Sequence, residues 1–316
     1  MRNSSPPQVG LNGSATSIGD VPGIAAAHAL PHAPFSRLWD SILLDGGQKE
    51  RLLAQALLTF TLRPQVDISS LPLHGLILLV GPPGTGKTSL ARGLASRTAE
   101  AFGKQNRFQF LEVEPHALAN AGLGRSQQAV RRLLGEVIPE RAQQGPLIVL
   151  LDEVEAMAPA RARLSLEANP VDVHRATDAV LASVDQLAAD FPQLLFVATS
   201  NFSEAIDTAL ISRADLVEVI PRPGPDTARA ILVDALGALA RPFPPVGRLS
   251  KDPEFARAAA ACKGLDGRQI RKVVVAACTF DKQTALDPAR LTVMDLIRAA
   301  EQVRRSPDTD GAGGVR

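Results

Sequence analysis

The stretch Leu76-Ile77-Leu78-Leu79-Val80-Gly81-Pro82-Pro83-Gly84-Thr85-Gly86-Lys87-Thr88 decides the fold of this chain. Its five apolar residues read as a buried strand, and the G-x-x-x-x-G-K-T spacing behind them reads as a phosphate-binding loop that runs into a helix. Gly81, Gly84 and Gly86, with Pro82, Pro83 and Thr85 between them, let the loop turn its N–H groups inward around phosphate oxygens. Lys87 is then placed to reach the β- and γ-phosphates, and the Thr88 hydroxyl to ligate Mg²⁺. The helix that starts here points the positive end of its dipole at the anion. A plain Gly/Pro-rich turn is the competing reading, and the apolar run in front of the loop argues against it.

Working outward, Leu147 to Leu151 is a second apolar strand, ended by Asp152 and Glu153. An aspartate leaving such a strand suits Mg²⁺ held through water, and the next carboxylate can orient or deprotonate an attacking water. Strand patterns also cover Arg107 to Val113, Leu194 to Thr199 and Leu216 to Ile220. Helical periods lie between them, as in Val130, Leu133, Leu134, Val137 and Ile138, where Pro146 blocks any extension, and in Val173, Ala176, Val180, Val184 and Leu187. Strands alternating with helices predict an α/β fold, a five-stranded parallel sheet with helices on both faces and ligands at the strands' carboxyl ends.

In that sheet Asn201 would stand beside Asp152 and Glu153, where an amide can hold a water or the γ-phosphate; a turn asparagine is the equal alternative. Arg213 stands just before the fifth strand and Arg268 at the start of a helix. From residues alone the default for Arg213 is a solvated or weakly ion-paired arginine, and for Arg268 a solvated or capping one.

Beyond Pro221-Arg222-Pro223-Gly224-Pro225 the sequence reads as helices, with starts at Asp252-Pro253, at Asp266 with Gln269, and at Thr292 with Asp295. The expected division is a flexible arm over 1–34, a nucleotide-binding domain over 35–222, a helical lid over 223–304 and a disordered tail over 305–316. With 34 basic and 33 acidic residues among 316, the net charge of +1 gives no reason to expect nucleic acid or an anionic membrane. Aromatics are 4%, too sparse for a base-stacking platform, and no apolar run approaches the roughly 18 residues that span a bilayer. Two cysteines without metal-ligand spacing suggest a reducing compartment, so a cytoplasmic protein is expected. The five histidines form no metal-ligand spacing.

These motifs in this order resemble the AAA+ ATPases. Asp152-Glu153-Val154-Glu155-Ala156, Asp185-Gln186-Leu187, Thr199-Ser200-Asn201, Arg213-Ala214-Asp215, Leu38-Trp39-Asp40-Ser41 and Gly264-Leu265-Asp266-Gly267-Arg268 narrow the likeness to the pachytene-checkpoint remodellers of HORMA-domain proteins. The resemblance implies a homohexameric ring that hydrolyses ATP with Mg²⁺ at subunit interfaces. It gives Asn201 the role of first sensor, Arg213 that of a finger acting on the neighbouring subunit, and Arg268 that of second sensor. It further implies a HORMA-domain client, bound to a closure peptide or a nucleotidyltransferase, in bacterial cyclic-oligonucleotide anti-phage signalling. The first pore loop would carry Gly122-Leu123 where many members have an aromatic pair. An unfoldase with another client, and a nucleotide-gated scaffold that hydrolyses little, are the alternatives.

Overall fold

The computed structural model describes residues 23–44, 46–67, 70–103, 105–114, 123–160 and 170–305. Its sheet has six strands: β1 (Ile24–Ala29), β2 (Leu76–Val80), β3 (Gln109–Val113), β4 (Leu147–Leu151), β5 (Leu194–Ser200) and β6 (Leu216–Val219). Their order is β1-β3-β4-β5-β2-β6. The five strands read from the sequence all form and run parallel. The sixth, β1, pairs antiparallel with β3 at the sheet edge, which corrects the expected count and places a strand inside the segment 1–34 assigned to an arm. Its sequence, IAAAHA, has little of the branched, alternating character that marks a strand. It becomes one because the outer edge of β3 offers backbone groups that need partners.

Alternate residues of each strand enter opposite cores, as a two-residue period requires. Leu76, Leu78, Val149 and Phe196 face one side, where α4 (Leu123–Arg132), α5 (Ile138–Gln143) and α6 (Pro170–Asp190) contribute Val130, Ile138, Val180 and Leu187. Ile77, Leu79, Ile148 and Val197 face the other, against Trp39 of α1 (Ala33–Ser41), Leu52 of α2 (Gln48–Leu62) and Leu90 and Leu94 of α3 (Lys87–Phe102). Each such fully buried aliphatic side chain contributes about 1.5–3 kcal/mol by leaving water.

The helix expected before Pro146 is interrupted by a wider π turn over Leu133–Val137. Pro139 is the physical reason: it has no N–H for the carbonyl four residues back, and its ring needs room there.

A short helix, α7 (Thr208–Ile211), is capped by the Asp207 carboxylate and leads toward β6. The chain then builds α8 (Pro225–Ala240), α9 (Phe255–Ala261), α10 (Gly267–Ala277), α11 (Lys282–Leu286) and α12 (Val293–Arg305). These bury a core of their own around Leu232, Val246, Phe255, Ile270, Val273 and Leu296. Both expected capping pairs are present: Asp266 and Gln269 exchange bonds across the start of α10, and Thr292 and Asp295 do so at the start of α12. No helix among the described residues is long and apolar enough to cross a membrane.

Candidate active site

The loop that leaves β2 is shaped by glycine. Gly84 and Gly86 hold φ of +79° and +93°, and Gly86 is the N-cap from which α3 begins at Lys87. Neither position has room for a side chain. A Cβ on Gly84 would lie 2.2 Å from the Asp266 carboxylate, and one on Gly86 would lie 2.6 Å from Ile42 Cδ1. The first turn of α10 is thus pressed onto the phosphate loop, and the Arg268 N–H reaches the Gly84 carbonyl at 3.4 Å.

Lys87 is buried, and its ammonium donates to the Gly81 carbonyl at 2.7 Å, the Pro82 carbonyl at 3.0 Å and Asn201 Oδ1 at 3.0 Å. Burial pushes that ammonium below the usual lysine range, against the pull of Glu155, Asp152 and Glu153.

Parallel pairing of β4 with β5 brings the next three groups together. Asp152 Oδ1 accepts from the Thr88 hydroxyl at 2.7 Å and from the Thr199 hydroxyl at 2.6 Å. Glu153 is the one non-glycine residue of left-handed φ among those described, at 58°. That backbone costs about 1–2 kcal/mol and is held by a bond from the Glu153 N–H to Thr199 Oγ1 at 3.0 Å. Asn201 then links the two halves of the site: its amide donates to Glu153 Oε1 at 2.9 Å while its carbonyl oxygen accepts from Lys87. Its backbone N–H is fixed by Glu155 Oε1 at 3.2 Å.

These groups line a cavity of about 490 Å³ together with Arg268. A second cavity of about 240 Å³ adjoins it through Gly84, Gly86, Ser89 and Arg268; its walls are mostly apolar, from Ile42, Leu44, Pro221 and Ile231, with Arg222 and Arg271 at its lining. A polar, cation-bearing lobe beside an apolar slot matches the two halves of a nucleoside triphosphate. Thr88 and Asp152 are hard oxygen donors in contact, and Mg²⁺ takes one or two such groups and fills its octahedron with water and phosphate. The residues fit that ion.

Arg213 is elsewhere. The loop carrying it is pinned to the amino end of β2, where the Asp215 carboxylate accepts from the N–H groups of His74, Gly75 and Leu76. The phosphate loop leaves the opposite end of the same strand, roughly 13 Å away along four residue steps. Arg213 lines neither cavity. Gly122 lies outside the described residues, and Leu123 is described only as the first backbone position of α4.

Thr199 as a functional group, and the whole of the apolar slot, go beyond the residues to which the motifs give roles. Thr199 was within reach, since parallel register alone sets the end of β5 beside the end of β4. The slot was not, because its walls come from segments far apart in the chain and none of them carries a local signal.

Residues 77–222 match the family described as ATPase family associated with various cellular activities (AAA). Over 285 residues the chain is 55% identical to CD-NTase-associated protein 6 of Pseudomonas aeruginosa, covering 89% of this chain and 93% of that one. It is 32% identical to the pachytene checkpoint protein 2 homolog of Oryza sativa subsp. indica over 78% of its own length, and spans 59% of that protein. In the solved HORMA:CdnC:Trip13 complex of E. coli MS115-1, one chain has the same fold, with a TM-score of 0.65 at 18% identity, over 89% of this chain and 95% of that one.

Proposed function

This chain belongs to the AAA ATPase family that includes CD-NTase-associated protein 6 and the pachytene checkpoint protein 2 homologues, and from that premise we propose that it is an ATP-driven remodeller of HORMA-domain complexes. The observation that carries the reading is the chain of contacts Lys87–Asn201–Glu153 across the ends of β2, β5 and β4. Glu153 takes a proton from the attacking water, and Asn201 holds that carboxylate in register with the phosphate-binding lysine. Lys87, Arg268 and the inward N–H groups of the loop stabilise charge on the phosphates. Thr88, and Asp152 through water, would hold Mg²⁺, which would supply further charge neutralisation on the phosphate oxygens.

Arg213 is read as a group that serves an adjoining copy in a homohexamer, because it sits at the wrong end of its own sheet to reach its own nucleotide. Gly122 and Leu123 are read as the pore-loop residues that grip the client. The client class is supported by the relatives: CD-NTase-associated protein 6, and a complex holding HORMA with CdnC. Regulation of bacterial cyclic-oligonucleotide anti-phage signalling, in the cytoplasm, is the role that fits.

The test uses purified protein and a HORMA protein loaded with a fluorescent closure peptide. Peptide release should require ATP and Mg²⁺ and should stop in Glu153→Gln. A complex that outlasts excess ATP with hydrolysis proceeding would overturn the HORMA reading and leave an ATPase with another client.

A further inference from the structure

Arg213 is held on more than one side. Its Nε and Nη2 donate to the two oxygens of Asp185 at 2.6 and 2.7 Å, and its Nη1 donates to the Ala209 carbonyl at 2.7 Å. Asp185 comes from the last two turns of α6, and His74 Nε2 flanks its carboxylate at 3.8 Å. The backbone beside Arg213 is fixed as well, through the three bonds that Asp215 accepts at the amino end of β2. The side chain is therefore tied to α6 and α7, and the loop beside it to the strand that carries the phosphate loop.

A guanidinium has five N–H groups in a rigid plane, and these contacts use three. The two that are left, one on each Nη, belong to a side chain still 24% exposed. Two N–H groups in a fixed plane are what a phosphate oxygen pair recognises. As a contribution to stability the Arg213–Asp185 pair is worth little, since both partners are in reach of water. As an aiming device it is well made, because a bidentate clasp removes the torsional freedom an exposed arginine otherwise keeps.

We propose that Asp185 is a positioning residue for Arg213, clasping one edge of the guanidinium so that its remaining N–H groups are presented to the γ-phosphate bound by an adjoining copy of the chain. This rests on the reading that Arg213 acts across a subunit boundary. The clasp stays closed during the reaction, so Asp185 raises turnover instead of restraining it.

Steady-state ATP hydrolysis by Asp185→Ala, Asp185→Asn, Arg213→Ala and the double variant Asp185→Ala/Arg213→Ala tests the idea, with oligomeric state and melting temperature followed alongside. Misplacing a reacting group by about 1 Å costs on the order of 10²-fold. Asp185→Ala should therefore lose roughly 10- to 100-fold in kcat, with KM for ATP unchanged because the cis site is untouched. Asp185→Asn, which keeps one acceptor, should fall between it and wild type. The double variant should be no slower than Arg213→Ala alone.

Normal or raised kcat in Asp185→Ala beside a slow Arg213→Ala would overturn the positioning role and leave the Arg213 reading intact. So would losses that multiply in the double variant. Normal turnover in Arg213→Ala would remove the reading beneath and the proposal with it. Where Asp185→Ala does not fold, Asp185→Asn compared with Arg213→Ala separates the same outcomes.

Discussion

The Asn201 side-chain amide donates to Glu153 Oε1 at 2.9 Å, joining the ends of two strands whose sequences are separated by a whole crossover helix. Glu153 is thereby fixed twice: its carboxylate by Asn201, and its strained backbone by the Thr199 hydroxyl. The general-base role proposed for Glu153 calls for that kind of fixed geometry, since the carboxylate must meet one water in one place.

Glu153→Gln keeps the oxygen that accepts from Asn201 and removes the proton acceptor. Phosphate release should fall by about 10²- to 10⁴-fold while ATP affinity stays within about threefold of wild type. Coupled phosphate detection and equilibrium nucleotide binding check the two halves separately. Weakened binding in step with lost turnover would mean that Glu153 holds the nucleotide and does not act on water.

Thr88 and Asp152 meet at 2.7 Å as the hard-oxygen pair assigned to Mg²⁺. Chelation should stop hydrolysis and added Mg²⁺ should restore it. Thr88→Ala should shift the Mg²⁺ titration to roughly tenfold higher concentration, because it deletes a direct ligand and leaves the water-mediated one. An unchanged titration would place the ion elsewhere.

Gly93 in α3 has the α1 backbone against it: an added Cβ would stand 2.6 Å from Trp39 Cβ and 2.8 Å from Trp39 N and Cα. Gly93→Ala must push two packed helices apart, at a cost of about 1–3 kcal/mol. Calorimetry should show the melting temperature lowered by about 1–2 °C per kcal/mol for a chain of 316 residues. No change would mean that α1 yields without loss.

Cys262 is fully buried in the core of the C-terminal helices, and burial pushes its thiol up to about 11. The folded state then keeps its proton between pH 9 and 11 while the unfolded chain gives it up. Stability must fall with rising pH across that window, by on the order of 2–3 kcal/mol at its upper end. Denaturant titrations of wild type and Cys262→Ala at pH 8, 9, 10 and 11 check this, since the variant should lack that part of the decline. At pH 8 the native thiol should resist alkylation, the thiolate being the reactive form.

Much of the site could be read along the chain because it is built from two local signals. The loop from Gly81 to Thr88 and the carboxylates Asp152 and Glu153 each follow an apolar strand, and a strand's end is where a parallel sheet presents its ligands. Asn201 could be placed by the same rule once the strands were taken as neighbours. Strand β1 could not, since a run of alanines has no period to read and pairs only because an edge was open. Nor could the π turn at Leu133–Val137 be placed from apolar spacing alone, since the spacing hides what Pro139 does to the ladder.

By itself the sequence determined which residues could hold a triphosphate, because glycines that admit left-handed φ, a lysine and a threonine in fixed spacing leave the backbone few other uses. Tertiary structure decided which side chains meet. The Asp185 clasp on Arg213, the Thr199 bond to Glu153 and the apolar slot walled by Ile42 and Ile231 each join residues far apart in the chain. Contacts of that kind depend on the order of strands in the sheet and on where the C-terminal helices come to rest, and hydrophobic period carries no record of either.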